Sequence, residues 1–169
     1  LSVATHSFTA TALYGSGQVS GSRVVVVSPP IPLREDFENR SGTYPRRMDL
    51  PTMTIERNRG SGLYIGIWTN SSYEPPLAGK FLLINGGDST STFTFKDNYS
   101  SISFDYAHTL YPAKAKFYDS TDGLLGEIAL LTESEFQAKS VHFQGNGIRK
   151  MIVTTTNSAV LFDNFILTP

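Results

Sequence analysis

None of the 169 residues is cysteine, which removes disulfides, thiolate nucleophiles, iron–sulfur clusters and cysteine-type zinc sites in one step. Stability must come from a packed core, with room for a hard metal. Charge is also scarce: 17% of residues are charged, and 14 Lys plus Arg stand against 15 Asp plus Glu for a formal net charge of -1. No large electrostatic field exists to recruit nucleic acid or an anionic membrane. Aliphatic runs such as Val24 to Val27 are far too short to span a bilayer, and no basic region precedes an apolar one at the N-terminus, so membrane insertion is not expected. The motifs H-x-x-x-H, H-E-x-x-H, G-x-S-x-G, the P-loop and G-x-G-x-x-G are all missing. The search leaves no hydrolase or nucleotide-binding signature.

What the chain has is 40% hydrophobic and 12% aromatic residues, with 19 Ser and 17 Thr supplying much of the polar surface. That mixture suits strands and turns. Phe8, Ala10 and Ala12 alternate with Thr9 and Thr11, Gly15 to Gly17 break the pattern, and Arg23 to Ser28 resume it. Residues 1–28 therefore read as a β-hairpin with a Gly-rich turn. Pro29, Pro30 and Pro32 make a stiff connector, 29–32, where a domain boundary is expected. Beyond it, 33–169 read as one unit of short strands: Met53 to Glu56, Leu63 to Thr69, Gly79 to Ile84, Thr92 to Phe95, Ser101 to Ala107, Ala113 to Asp119, Leu124 to Leu131, Ser140 to Gln144, Lys150 to Thr155 and Ala159 to Leu167. The one helix candidate, Thr132 to Lys139, is two turns at most. Many short strands without intervening helices predict an all-β chain, an antiparallel β-sandwich of jelly-roll type preceded by a hairpin. The chain opens on Leu1 in strand-like sequence, so it reads as a segment of something longer.

Few residues point to chemistry. His6, His108 and His142 show no metal or triad spacing. The run Asp119 to Gly123 lacks the length and terminal acid of an EF-hand loop and reads as a hairpin turn, with Asp122 and Gly123 at the positive-φ positions. Glu35, Asp36 and Glu38 at the start of the second unit, and Asp163 near its end, set carboxylates beside apolar strand residues. A buried carboxylate needs a partner. For a ligand, the candidates are flat rings beside polar neighbours: Trp68, Tyr73, Tyr106 and Tyr111. Trp68 precedes the polar Thr69 to Ser72 loop and suits a rim position. Against that, Leu63, Ile65 and Ile67 line one face of its strand and Tyr64 joins Trp68 on the other, so neither face is polar and the ring suits the core better.

Two resemblances add to this reading. SFTATALYGSGQVSGSRVVVVS resembles the last two strands of a bacterial immunoglobulin-like repeat. From residue 35 to 167, the opening DFE, the strand ISFDYA, the hairpin KFYDSTDGLLGEIAL and the terminal LFDNFIL together resemble calcium-containing jelly-roll modules of the carbohydrate-binding and MAM-like type. The resemblance implies a structural Ca²⁺ held by an acid of the first strand and an acid of the last, by position Glu38 and Asp163. The alternative is that Asp163 pairs with Arg34 or a strand-end amide. The resemblance further implies a non-catalytic glycan-binding or adhesive module of an extracellular or cell-surface protein, near its C-terminal end. Competing readings are a purely structural cap on a stack of repeats and, behind it, a glycan-processing enzyme, which would need two acids facing across a cleft.

Overall fold

A computed structural model describes residues 4–14, 17–27, 30–59, 63–66, 77, 79–84, 88–107, 111–130, 138–157 and 159–169. The chain divides into two compact units, Leu1–Ile31 and Pro32–Pro169. In the first, strands β1 (Ala4–Tyr14) and β2 (Gly17–Val27) pair antiparallel without a register break, Ala4 opposite Val27 and Tyr14 opposite Gly17. This is the hairpin expected from the alternation.

The second unit is all-β among its described residues: β3 (Leu33–Glu35), β4 (Gly42–Tyr44), β5 (Arg47–Asp49), β6 (Met53–Arg59), β7 (Leu63–Gly66), β8 (Phe81–Ile84), β9 (Ser89–Ala107), β10 (Ala113–Tyr118), β11 (Leu124–Leu130), β12 (Lys139–Thr155) and β13 (Val160–Thr168). Every pairing is antiparallel. The fold is an antiparallel β-sandwich of jelly-roll type whose two layers share two long strands. In one layer the order is β11-β10-β12-β9-β6-β5, using residues 150–155 of β12 and 89–95 of β9. In the other it is β12-β9-β13-β8-β7-β4, using 139–144 of β12 and 101–107 of β9, with β3 on the far end of β13.

β9 and β12 pass between layers through register breaks around Tyr99 and Ile148. The break reverses which face is buried: Ser91, Phe93, Phe95 and Tyr99 point inward, and then Ile102, Phe104 and Tyr106 do. A one-residue shift has this effect because side chains alternate with period two. In β13 the same device is local. Asn164 takes φ +53° and the pairing with β9 slips between Asp163 and Ile166, so Phe162 and Phe165 both enter the core. The layers meet there. Phe93 of one layer lies 5.6 Å from Phe162 and 5.7 Å from Phe165 of the other, and Phe104 stacks on Phe165 at 5.2 Å. Burying each such ring contributes about 2 kcal/mol or more of transfer free energy.

Three differences from expectation have clear causes. Strands β3, β4 and β5 are three residues each, too short for periodicity and defined by their partners. The separate strands expected within β9 and within β12 are continuous, because a bulge bends a strand without ending its pairing. In the Asp119 to Gly123 turn only Asp122 has positive φ, +67°. Gly123 is required for another reason: a Cβ there would lie 2.7 Å from the Asp119 carboxylate, which accepts from the Thr121 amide, the Thr121 hydroxyl and the Gly123 amide, each at 2.8 Å. Those donors hold the Asp119 carboxyl below its ordinary range. The helix candidate lies outside the described residues except for its end, where Lys139 begins β12.

Candidate functional site

Two places in the second unit gather polar chemistry, and they lie on different layers. The first surrounds Asp163. Phe37, between Asp36 and Glu38, is fully buried, meets the Phe165 ring edge-on at 6.2 Å and adopts φ +57°. Positive φ is costly for a bulky side chain, so this turn stores strain that the surrounding packing holds in place. Its effect is to anchor the turn by the ring while the flanking carboxylates stay outside the core. The Glu38 carboxylate accepts from the Lys80 amide at 2.9 Å, and the Lys80 ammonium donates to the Glu38 carbonyl at 2.7 Å. Gly79, at φ +74°, makes room: a Cβ there would stand 1.9 Å from Glu38 Oε1.

Asp163 is 2% exposed and lies opposite Asp105 in the β13–β9 ladder. One of its oxygens accepts from the Asn164 amide at 2.7 Å. Arg34 does not reach it; the guanidinium donates to Asn164 Oδ1 at 2.6 Å, with Asp36 at 4.0 Å. Asp105 takes Asn164 Nδ2 at 2.9 Å and the Ser140 hydroxyl at 2.6 Å. Of the two pairings expected for Asp163, the structure contains the amide and not the arginine. Burial pushes the Asp163 carboxyl up to about 7 against the pull of that amide, and the charges of Glu38, Asp105 and Asp36 push the same way. The result is a buried acid among acids. Glu38 and Asp163 offer the hard oxygens that Ca²⁺ takes. Among the described residues no group of three or more His, Cys, Asp or Glu is arranged to hold a metal, so backbone carbonyls would have to supply most of the six to eight oxygens.

The second place is the outer face of the other layer. In β10, Ala113, Ala115 and Phe117 point into the core and Lys114, Lys116 and Tyr118 point out. Across the ladder, Lys114 faces Ala129 of β11 and Thr154 of β12, and Lys116 faces Glu127 and Ile152. A cleft of about 300 Å³ opens here along Pro112, Ala113 and Lys114, with Pro112 and Ala129 as its apolar side chains and Lys114, Glu127, Thr154 and Thr156 as its polar ones. Tyr111, 48% exposed, immediately precedes the lining residue Pro112 in the chain. Lys116 holds Glu127 at 3.6 Å. The cleft is therefore a small apolar floor rimmed by donors and acceptors, with one carboxylate among its lining residues.

Of the two aromatic candidates among the described residues, Tyr111 is half exposed and Tyr106 is buried. Tyr106 is 4% exposed and packs against Phe104 at 6.5 Å, so it belongs to the core and offers no face to a ligand. Its position was readable, because Ile102, Phe104 and Tyr106 alternate with Ser101, Ser103 and Asp105. Trp68, Tyr73 and His108 lie outside the described residues. His142 stands on the outer face, its Nδ1 2.7 Å from the Ser103 hydroxyl. Lys114, Glu127, Thr154 and Thr156 were not singled out in the sequence; alternation marks Lys114 as outward, but only register brings the four together.

No protein-family model and no curated relative matches the chain. Solved structures do resemble it. One is a family 6 carbohydrate-binding module studied for its binding sub-sites, at 15% identity and TM-score 0.46, covering 80% of this chain and 92% of that one. A second is a glycoside hydrolase family 43 arabinoxylan arabinofuranohydrolase from Bacillus subtilis in complex with cellotetraose, at 18% identity and TM-score 0.47; 85% of this chain is covered, against 28% of the enzyme. A third is the K1 cleaved adhesin domain of Lys-gingipain from Porphyromonas gingivalis, at 9% identity and TM-score 0.45, with 82% and 98% covered. What this chain binds has to be argued from its own side chains.

Proposed function

We propose that the second unit is a non-catalytic glycan-binding module of an extracellular or cell-surface protein, with the cleft beside Tyr111 as its sugar site. The observation that carries this reading is the cleft itself: apolar Pro112 and Ala129 beside Thr154, Thr156 and Lys114, with the half-exposed Tyr111 next to Pro112 in the chain. Sugars present an apolar C–H face edged by hydroxyls, and this site offers both counterparts. Glycoside hydrolysis needs two carboxyl groups at a set separation; the cleft lining supplies Glu127 alone, and Lys116 neutralises it. Glu38 and Asp163 are assigned to a structural Ca²⁺ on the opposite layer, where the cation would balance the buried negative charge and tie the turn after β3 to β13. The resemblance to carbohydrate-binding and MAM-like modules points the same way.

The test is a glycan array probed with residues 32–169 displayed multivalently, since one ring and a few hydrogen bonds give a monovalent Kd of about 10 μM to 1 mM. Binding to a defined set of glycans supports the reading. A competing assignment, a structural cap on a repeat protein, is favoured by the β1–β2 hairpin forming a compact unit of its own. A natively melting protein that binds no glycan on the array would decide for that cap.

A further inference from the structure

We infer that the cleft selects anionic sugars and that Lys114 is the residue that reads the charge, an inference that rests on the glycan-binding reading above. The cleft is lined by two charged side chains, Lys114 and Glu127. Glu127 already has a cation, Lys116, at 3.6 Å. Lys114 is exposed and sits between Ala129 and Thr154, neither of which carries charge. Among the described residues no carboxylate pairs with it. The next cation on this face, Lys150, is engaged by Asp122 and lies 4.9 Å from the centre of the Tyr118 ring. The cleft thus keeps one uncommitted positive charge beside its apolar floor, with the threonine hydroxyls of Thr154 and Thr156 at the same margin.

A neutral sugar can only exchange water around that ammonium for its own hydroxyl oxygens, a near-even trade. An acidic sugar, whether its charge is a carboxylate or a sulfate, replaces water around Lys114 with a charge-assisted hydrogen bond. Stacking on Tyr111 and hydrogen bonds from the threonines would be common to both sugars, so the difference between them isolates the lysine. At an exposed site the preference is about three- to tenfold.

The experiment uses residues 1–169 on an array of neutral and acidic glycans that includes matched pairs: trigalacturonate beside its methyl ester, and 6-sulfated beside unsulfated N-acetyllactosamine. The expected result is preference for the charged member of at least one pair, shrinking as NaCl rises from about 20 mM to about 500 mM. The carboxylate and sulfate pairs show which anion is taken. Lys114→Gln should bring the two members level while leaving the melting temperature unchanged, and Lys114→Arg should restore the preference. Equal binding of charged and neutral members overturns the inference and leaves the glycan reading standing. A preference that survives Lys114→Gln also overturns it, since the charge is then read elsewhere. Silence across the whole array, neutral glycans included, overturns both.

Discussion

Replacing Asp163 with asparagine removes a charge and keeps the shape of the side chain, and the structure assigns that change a sign. The carboxyl titrates near 7 in the folded protein against 3.8 for the free group. A raised carboxyl contributes stability fully below the unfolded value and loses that contribution as pH rises through the folded one. At pH 8 the folded state therefore carries a penalty of up to about 4 kcal/mol when nothing balances the charge. Asparagine escapes this penalty and still accepts from the Asn164 amide. Its buried NH₂ group needs a partner of its own, which gives back about 1–3 kcal/mol, so the net gain is about 1–3 kcal/mol. For a unit of this size that raises Tm by roughly 3–9 °C in EDTA. Calcium reverses the comparison. At a concentration about one hundred times its Kd it stabilises the wild type by about 2.7 kcal/mol and does little for Asp163→Asn. The assay is thermal melting of both proteins at pH 8, in EDTA and in calcium chloride. If Asp163→Asn melts below wild type in EDTA, Asp163 is balanced by a group within the protein and the reasoning is wrong. If calcium raises both proteins equally, the ion sits elsewhere.

Gly79→Ala drives a Cβ into the Glu38 carboxylate and strains a backbone at φ +74°, so it should lower stability by about 1–3 kcal/mol. Adding Glu38→Ala should recover part of that loss, as a double-mutant cycle in denaturant will show. Phe162→Ala empties the junction where Phe93, Phe104 and Phe165 meet and should cost about 3–5 kcal/mol in urea unfolding. Hydrogen bonds from Arg47, then from Thr54, hold the exposed Asp49 carboxyl at about 2. Its contribution is present above the unfolded value and lost as pH falls through about 2; an NMR titration should find that midpoint, and Arg47→Gln should move it back toward 3.8. Residues 32–169 expressed alone should melt cooperatively; a molten spectrum would show that the hairpin completes their core.

Most strands of the second unit were legible because a half-buried strand displays its alternation, as Ala113 to Phe117 and Ser101 to Tyr106 do. The links between them were not. Nothing local marks β9 as one strand crossing both layers, since the reversal of its buried face depends on partners far along the chain. Asp163 shows the same limit at one residue. Plain alternation sets it opposite Phe162, on an outer face, and it is tertiary packing over that face that buries it. The acids flanking Phe37 could be picked out by their apolar neighbours, whereas their approach to Asp163 required the fold. The cleft was the least legible part. Thr154 and Thr156 lie about forty residues from Lys114, and register alone makes them neighbours. Tyr106 has polar neighbours in sequence, but it stands on the buried side of the alternation with Ile102 and Phe104.

The measurement that bears most directly on the glycan-binding assignment is a calorimetric titration of wild type and Tyr111→Ala with whichever oligosaccharide gives the strongest array signal. Tyr111 is half exposed, so removing its ring should leave the melting temperature within about 1 °C of wild type. Affinity should fall about tenfold, the loss of one stacking contact of about 1–1.5 kcal/mol. An unchanged Kd in a protein that melts like wild type would contradict the account, because the sugar would then bind away from this cleft.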